Sequence, residues 1–168
     1  MINDDLKLGL RGFGLLAEIE QLSLIPYDDQ TGKPISEWCR GATIGYGHLI
    51  ARKEWDVYRF GISEPEAVEL FSTDLWEFEH YVRLSIIKPL TQNQFDALVI
   101  LAYNIGVKSF VGSSVVKLIN DPAEVCRYAS LESAWKAWNK SQGKECQGLI
   151  NRRCCEWEIW KSGIYKKW

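Results

Sequence analysis

With 168 residues, 46% of them hydrophobic and 25% charged, the chain is long enough for one ordinary core and too apolar to be disordered. Its 22 acidic and 20 basic residues leave a formal charge of -2, and there is no Lys/Arg run. That balance gives no electrostatic reason to expect a nucleic-acid partner. No apolar run approaches membrane-spanning length, which argues against stable membrane insertion.

The five cysteines, Cys39, Cys126, Cys146, Cys154 and Cys155, are an odd number without metal-ligand spacing. They read as reduced thiols of a protein made in the cytoplasm, with no metal site, and one disulfide formed after export is the alternative. Met1-Ile2-Asn3-Asp4-Asp5 puts acids where a signal peptide needs bases. The expectation is a single 1–168 domain without a visible signal peptide.

From Asp5 to Gln21 the apolar positions Leu6, Leu10, Phe13 and Ala17 fall at helical spacing, and the same stripe arrives at Glu20. Glu18 continues the opposite stripe of Lys7, Arg11 and Gly14. Glu20 is therefore the acid turned toward the core side, where burial favours the protonated carboxyl. Residues 26–49 are rich in Gly, Asp and Thr and predict a small antiparallel sheet of hairpins. Ser63 with Glu66, and Thr91 with Gln94, are capping boxes, and Asp121-Pro122 with Glu124 has similar spacing. They predict helices over 63–84, from 91 to a stop at Gly106, and over 122–130. Further helices are expected at 113–119, 131–140 and 149–161. Ala97 to Tyr103 is apolar on every side, the mark of a central buried helix.

Two acids and a hydroxyl then stand out: Glu20, Asp29 after eight intervening residues, and Thr43 in Thr43-Ile44-Gly45-Tyr46-Gly47-His48. Glycoside hydrolysis needs one carboxyl protonated to serve the leaving oxygen and another ionised to hold water or attack carbon. Each has a plainer reading. Glu20 could be an ordinary half-buried Glu in an ion pair, Asp29 a turn former before Gln30-Thr31-Gly32, and Thr43 a β-branched residue opening a strand. Asp28 would point the other way in an extended strand and is the alternative to Asp29. His48 lacks a Ser or Cys nucleophile and reads as structural. Trp135, Trp138, Trp157 and Trp160 have helical spacing and read as core. Trp38 is the tryptophan set apart for substrate contact.

This order of motifs resembles the phage-type lysozymes, the muramidase endolysins of glycoside hydrolase family 24. The likeness continues through Leu90-Thr91-Gln92-Asn93-Gln94-Phe95-Asp96-Ala97-Leu98, Tyr103-Asn104-Ile105-Gly106 and Gly148-Leu149-Ile150-Asn151-Arg152-Arg153. Between Asp29 and Thr43 the chain is longer than the family's usual short stretch, so residues 30–42 read as an insertion beside the site.

The resemblance implies an α+β, mainly helical, lysozyme-like fold. A small antiparallel β lobe at about 25–60 and a larger helical lobe at about 63–168, packed with the N-terminal helix, would flank a cleft. It implies an inverting muramidase acting on peptidoglycan glycan strands, with catalytic Glu20, Asp29 and Thr43. Leu49, Tyr103, Asn104, Ser114 and Arg152 would contact substrate; Arg153, beside Arg152, could be a solvated surface charge. No metal or organic cofactor is implied. The context is a monomeric endolysin reaching periplasmic or cell-wall peptidoglycan by holin-dependent release. A secreted antibacterial effector paired with an immunity-type inhibitor is the alternative context. A lytic transglycosylase and a non-catalytic wall-binding module are the competing activities.

Overall fold

The computed structural model describes residues 2–168. The chain forms two compact units, Leu16–Trp76 and a second made of the residues up to Leu15 together with Glu77–Trp168.

The Leu16–Trp76 unit receives the end of α1 (Leu10–Glu20) and is built on a three-stranded antiparallel sheet. Its strands are β1 (Ser23–Asp28), β2 (Ala42–Gly45) and β3 (His48–Leu49), in that spatial order. Thr43 lies opposite Tyr27 on β1 and opposite Leu49 on β3. Directly paired residues share a face, so Tyr27, Thr43 and Leu49 stand on one side of the sheet. Ala42 and Ile44 alternate to the other side and form a buried cluster with Ile50. Ile35, Trp38, Cys39, Trp55, Tyr58, Ile62 and Leu70 pack against that cluster. A single 3-10 turn at Arg52–Glu54, α2 (Trp55–Tyr58) and the first half of α3 (Glu64–Ser85) complete the unit. Helix α3 starts where its capping box lies: the Ser63 N–H donates to Glu66 Oε2 (2.7 Å) and the Glu66 N–H returns to Ser63 Oγ (3.5 Å).

The second unit is organised around α4 (Gln92–Ile105), in which every residue from Phe95 to Ala102 is buried. Each large side chain among them contributes about 1.5–3 kcal/mol by leaving water. The Thr91 N–H donates to Gln94 Oε1 (3.0 Å) at its start, and Gly106, with φ of 83°, ends it. Helices α5 (Val107–Val111), α6 (Ser114–Asn120) and α7 (Leu131–Lys136) follow. A hairpin of β4 (Lys140–Ser141) and β5 (Lys144–Glu145) leads into α8 (Gln147–Ser162), which packs along α4. Among the described residues no helix is long and apolar enough to cross a membrane.

Four expectations are corrected. The first helix begins at Leu10, not Asp5, and Leu10 itself is 93% exposed. Its buried face runs through Gly12, Leu15 and Leu16, because a Cβ on Gly12 would lie 2.8 Å from Leu8 and 3.0 Å from the Asp96 carboxyl. No helix forms over 122–130: Asp121 Oδ1 caps the Ala123 N–H (3.0 Å) in a turn, and Val125 is exposed, leaving no apolar face to dock. The helix expected over 131–140 stops at Lys136. Trp138 lines a cavity, while Trp135 is buried against Trp157 and Trp160 at ring separations of 5.9 and 5.5 Å.

Candidate active site

Glu20 is the last residue of α1 and is half-buried, whereas Glu18 is exposed. Glu20 is thus the more buried of the two acids, although the stripe that predicted its orientation is displaced. A cavity of about 310 Å³ opens beside Glu20 and is lined also by Ser23, Ile25, Tyr27, Gly32 and Pro34. Asp29 and Thr43 lie outside that lining.

Asp28 and Asp29 divide two jobs between them. Asp28 carries the turn chemistry, accepting the Gln30 N–H on Oδ1 (3.0 Å) and the Thr31 hydroxyl on Oδ2 (2.9 Å). Asp29 is thereby relieved of capping. Its carboxyl is exposed and accepts from Gln30 Nε2 (2.9 Å). The Gly41 carbonyl accepts both the Asp29 N–H (3.0 Å) and the Thr43 hydroxyl (3.0 Å), so one backbone oxygen anchors both residues. Thr43, 4% exposed, spends its proton on that oxygen, and its hydroxyl lone pairs remain the groups a water could address.

Tyr27 links these residues, and the sequence reading passed over it. It faces the same side of the sheet as Thr43, lines the Glu20 cavity, and precedes Asp29 by two residues. Burial, then the charges of Glu20 and Asp29, raise its phenol above the ordinary value, so both carboxyls act on one hydroxyl. Strand alternation from Asp29 back to Tyr27 was the signal that could have found it.

His48 has the structural role expected of it. Nδ1 meets the Asp74 carboxylate of α3 at 3.0 Å, and the ring packs edge-on against Tyr58 at 5.4 Å. Leu49, 61% exposed, shares the face of Thr43. Trp38 departs from its expected role as a substrate contact. Its indole Nε1 donates to the Ile50 carbonyl (2.9 Å), its ring packs on the Ala42–Ile44–Ile50 cluster, and Arg52 stacks over it at 5.4 Å.

In the helical unit, Tyr103 and Asn104 end α4 as expected, Tyr103 packing on Phe78 at 4.9 Å between ring centres. Ser114 opens α6, where the neighbouring Ser113 supplies the cap by accepting the Val116 N–H (3.2 Å). Arg152 is buried, and Nε donates to Glu156 Oε1 (3.3 Å). Arg153 contradicts its expected place at the surface: it is 1% exposed and donates to Asn104, Glu156 and the Trp138 carbonyl. Asn104 and Trp138 also line a cavity of about 470 Å³ with Tyr128, Arg127 and Lys140. Among the described residues no group of three or more His, Cys, Asp or Glu is placed to hold a metal ion.

Residues 17–156 match the family model described as phage lysozyme. The chain belongs to the phage lysozyme family. Among its relatives, the endolysin of Bacillus phage PZA is 34% identical over 162 residues, covering 96% of this chain and 57% of the relative. The chain thus spans little more than half the length of that endolysin. Among solved structures, the endolysin from Escherichia coli O157:H7 phage FAHEc1 superposes with a TM-score of 0.77 at 31% identity, covering 97% of this chain and 98% of that one. The muramidase domain of SpmX from Asticaccaulis excentricus gives 0.73 at 28% identity, covering 94% and 99%. The lysozyme fold of this phage lysozyme family member, mainly helical with a small antiparallel sheet, is therefore shared with both.

Proposed function

We propose that this phage lysozyme family chain is an inverting muramidase that hydrolyses the β-1,4 bond between N-acetylmuramic acid and N-acetylglucosamine in peptidoglycan. The observation that carries the reading is the Gly41 carbonyl, which fixes the Asp29 backbone and the Thr43 hydroxyl together on the sheet that also bears Tyr27. Family membership supports the substrate class.

In the reaction, Glu20 gives its proton to the glycosidic oxygen as the bond to the anomeric carbon breaks. A water approaches that carbon from the opposite face, with one proton directed at the Asp29 carboxylate and the other at the Thr43 Oγ lone pair. Asp29 takes the proton as the new C–O bond forms, and the anomeric configuration inverts. Leu49, Tyr103, Asn104, Ser114 and Arg152 are assigned to contact with the glycan. The biological setting that fits is a monomeric endolysin released to the cell wall through a holin.

Mass spectrometry of digested peptidoglycan tests the activity: new reducing ends are expected, while anhydro ends would indicate a transglycosylase and an intact polymer a binding module. Anomer-resolved NMR should show the α product first, and a β product would remove Asp29 from its role. Glu20→Gln should lower kcat by about a thousandfold with the fold intact, and Glu18→Gln should stay active. Equal activity of the two variants would break the assignment of the acid.

A further inference from the structure

The polar cluster on the inner face of α8 is a second organised assembly, and the reaction just described makes no use of its central residue. Glu156 is wholly buried. Its Oε1 accepts from Arg153 Nη2 (2.6 Å) and Arg152 Nε (3.3 Å), and its Oε2 accepts from Trp135 Nε1 (3.0 Å). The two arginines stand three and four residues before it on the same helix, the spacing that brings side chains onto one face. A buried cation needs a paired and hydrogen-bonded anion, and Glu156 supplies one to both guanidinium groups.

Arg153 extends the assembly outward. Nη1 donates to the Trp138 carbonyl (3.1 Å), and Nη2 also donates to Asn104 Oδ1 (2.9 Å). A guanidinium has donors and no acceptor, so it can hold Asn104 only by the amide oxygen. The amide NH2 is left to address whatever enters the cavity of about 470 Å³ that Asn104 and Trp138 line. Asn104 is itself exposed. Its orientation is thus imposed from behind by a buried chain of charges.

We infer that Glu156 is a positioning residue for substrate recognition: through Arg153 it fixes Asn104 with its amide NH2 toward the ligand, so that this position selects a carbonyl-type hydrogen-bond acceptor. The inference rests on the muramidase reading for the identity of the ligand, a glycan bearing acyl groups. A purely structural ion cluster would give the same burial but would leave ligand affinity unaffected by Asn104 orientation.

The test is a double-variant cycle read by binding and by turnover. Purified soluble peptidoglycan fragments are titrated against tryptophan fluorescence, and KM and kcat are measured on the same fragments. Glu156→Gln should weaken binding by roughly tenfold, one lost hydrogen-bond contribution of about 1.4 kcal/mol, with kcat unchanged. In an Asn104→Ala background the same substitution should weaken binding by clearly less than tenfold, the remainder being its hold on Arg152, while its cost in thermal stability persists in both backgrounds. Arg153→Lys covers the case in which Glu156→Gln fails to fold. It keeps a cation beside Glu156 but loses the fork that reaches Asn104, and it should reproduce the loss of affinity. Unchanged affinity in Glu156→Gln or Arg153→Lys, or losses that multiply with Asn104→Ala, would overturn the inference. An unsubstituted chain that binds the fragments without cleaving them would sink the hydrolytic reading and leave this one intact. One that does not bind them overturns it.

Discussion

Gly41→Ala is the perturbation that most directly probes the link between the sheet and the chemistry. Gly41 has a φ of 110°, and a Cβ placed on it would lie 2.3 Å from Asp29 Oδ1. That is about 1 Å inside ordinary van der Waals contact, so something has to move. The Gly41 backbone is held by the Asp29 N–H and by the Thr43 hydroxyl, whereas the Asp29 carboxyl is exposed and accepts from the flexible Gln30 side chain. The carboxyl therefore yields first. A displacement of this size at a catalytic group costs on the order of 100-fold in rate. Alanine at positive φ adds about 1–2 kcal/mol of backbone strain, or roughly 2–8 °C in Tm for a chain of this size. Release of reducing ends from purified peptidoglycan, paired with a thermal melt, reads both effects. In an Asp29→Ala background the clash with the Asp29 carboxyl is gone and only a 3.3 Å contact with Asp28 Oδ1 remains, so Gly41→Ala should then add little to the loss of kcat. A folded Gly41→Ala variant with the parent's kcat would refute both the anchoring role of Gly41 and the place of Asp29 in the reaction.

Three further outcomes follow from the same unit. Tyr27→Phe removes the cavity-lining hydroxyl that lies in the field of both carboxyls and should lower kcat by roughly 2- to 10-fold, the worth of one hydrogen bond to the reacting glycan, with an unchanged melt; full activity would place Tyr27 outside the machinery. Trp38→Ala should lower thermal stability and leave KM alone. Its cost falls at or below the low end of the roughly 3–5 kcal/mol that a buried aromatic loses, because Trp38 is only partly buried; weaker substrate binding without loss of stability would restore Trp38 as a substrate contact. His48 is raised above its ordinary value chiefly by its hydrogen bond to Asp74, against opposition from burial and with help from the charges of Asp74 and Glu54. The stability it contributes is complete below the unfolded value near 6.5 and is lost as pH rises through the higher folded value. Melts between pH 5 and 9 should show this decline, and His48→Gln should flatten it; a parallel decline in both proteins would assign it elsewhere.

The elements that the sequence made legible are those specified by neighbours a few residues away. Ser63 with Glu66 and Thr91 with Gln94 mark helix starts because the residues that satisfy each other are three apart. The same logic failed at Asp121-Pro122, where a cap is present but no apolar stripe follows it, and a cap cannot hold a helix that has nothing to bury. Over 140–145 the hairpin was legible in principle, since Gln142 and Gly143 both take positive φ, as a tight two-residue turn requires. The helical spacing of Trp135 and Trp138, which carried the expected helix on to residue 140, obscured it. Arg153 could not have been placed from its own neighbourhood. Its burial depends on Asn104, 49 residues away, and on the chance that Glu156, three residues on, faces inward too. For the proposed site, the resemblance in motif order is what grouped Glu20, Asp29 and Thr43, whereas Tyr27 and Gly41 join them through strand register and a carbonyl direction that composition does not encode.

The long segment between Asp29 and Thr43 shows why such a site tolerates a change in chain length. Strands of six, four and two residues form too small a sheet to bury a core unaided. The segment supplies what they lack: Ile35, Trp38 and Cys39 pack against the Ala42–Ile44–Ile50 cluster, and the Ile35 N–H donates to the Pro26 carbonyl at 3.0 Å. It turns back after Asp29 to pair with β1 at Pro34 and reaches β2 through Gly41. There one carbonyl accepts from the Asp29 backbone and the Thr43 hydroxyl alike. The relation between the acid and the hydroxyl is thus set by that junction, not by the number of residues looped out, and loop closure costs only about 0.6 kcal/mol more for each doubling of loop length. Extra length in this segment adds core to the small unit without displacing the groups at its edge, provided the residue at the junction has no side chain.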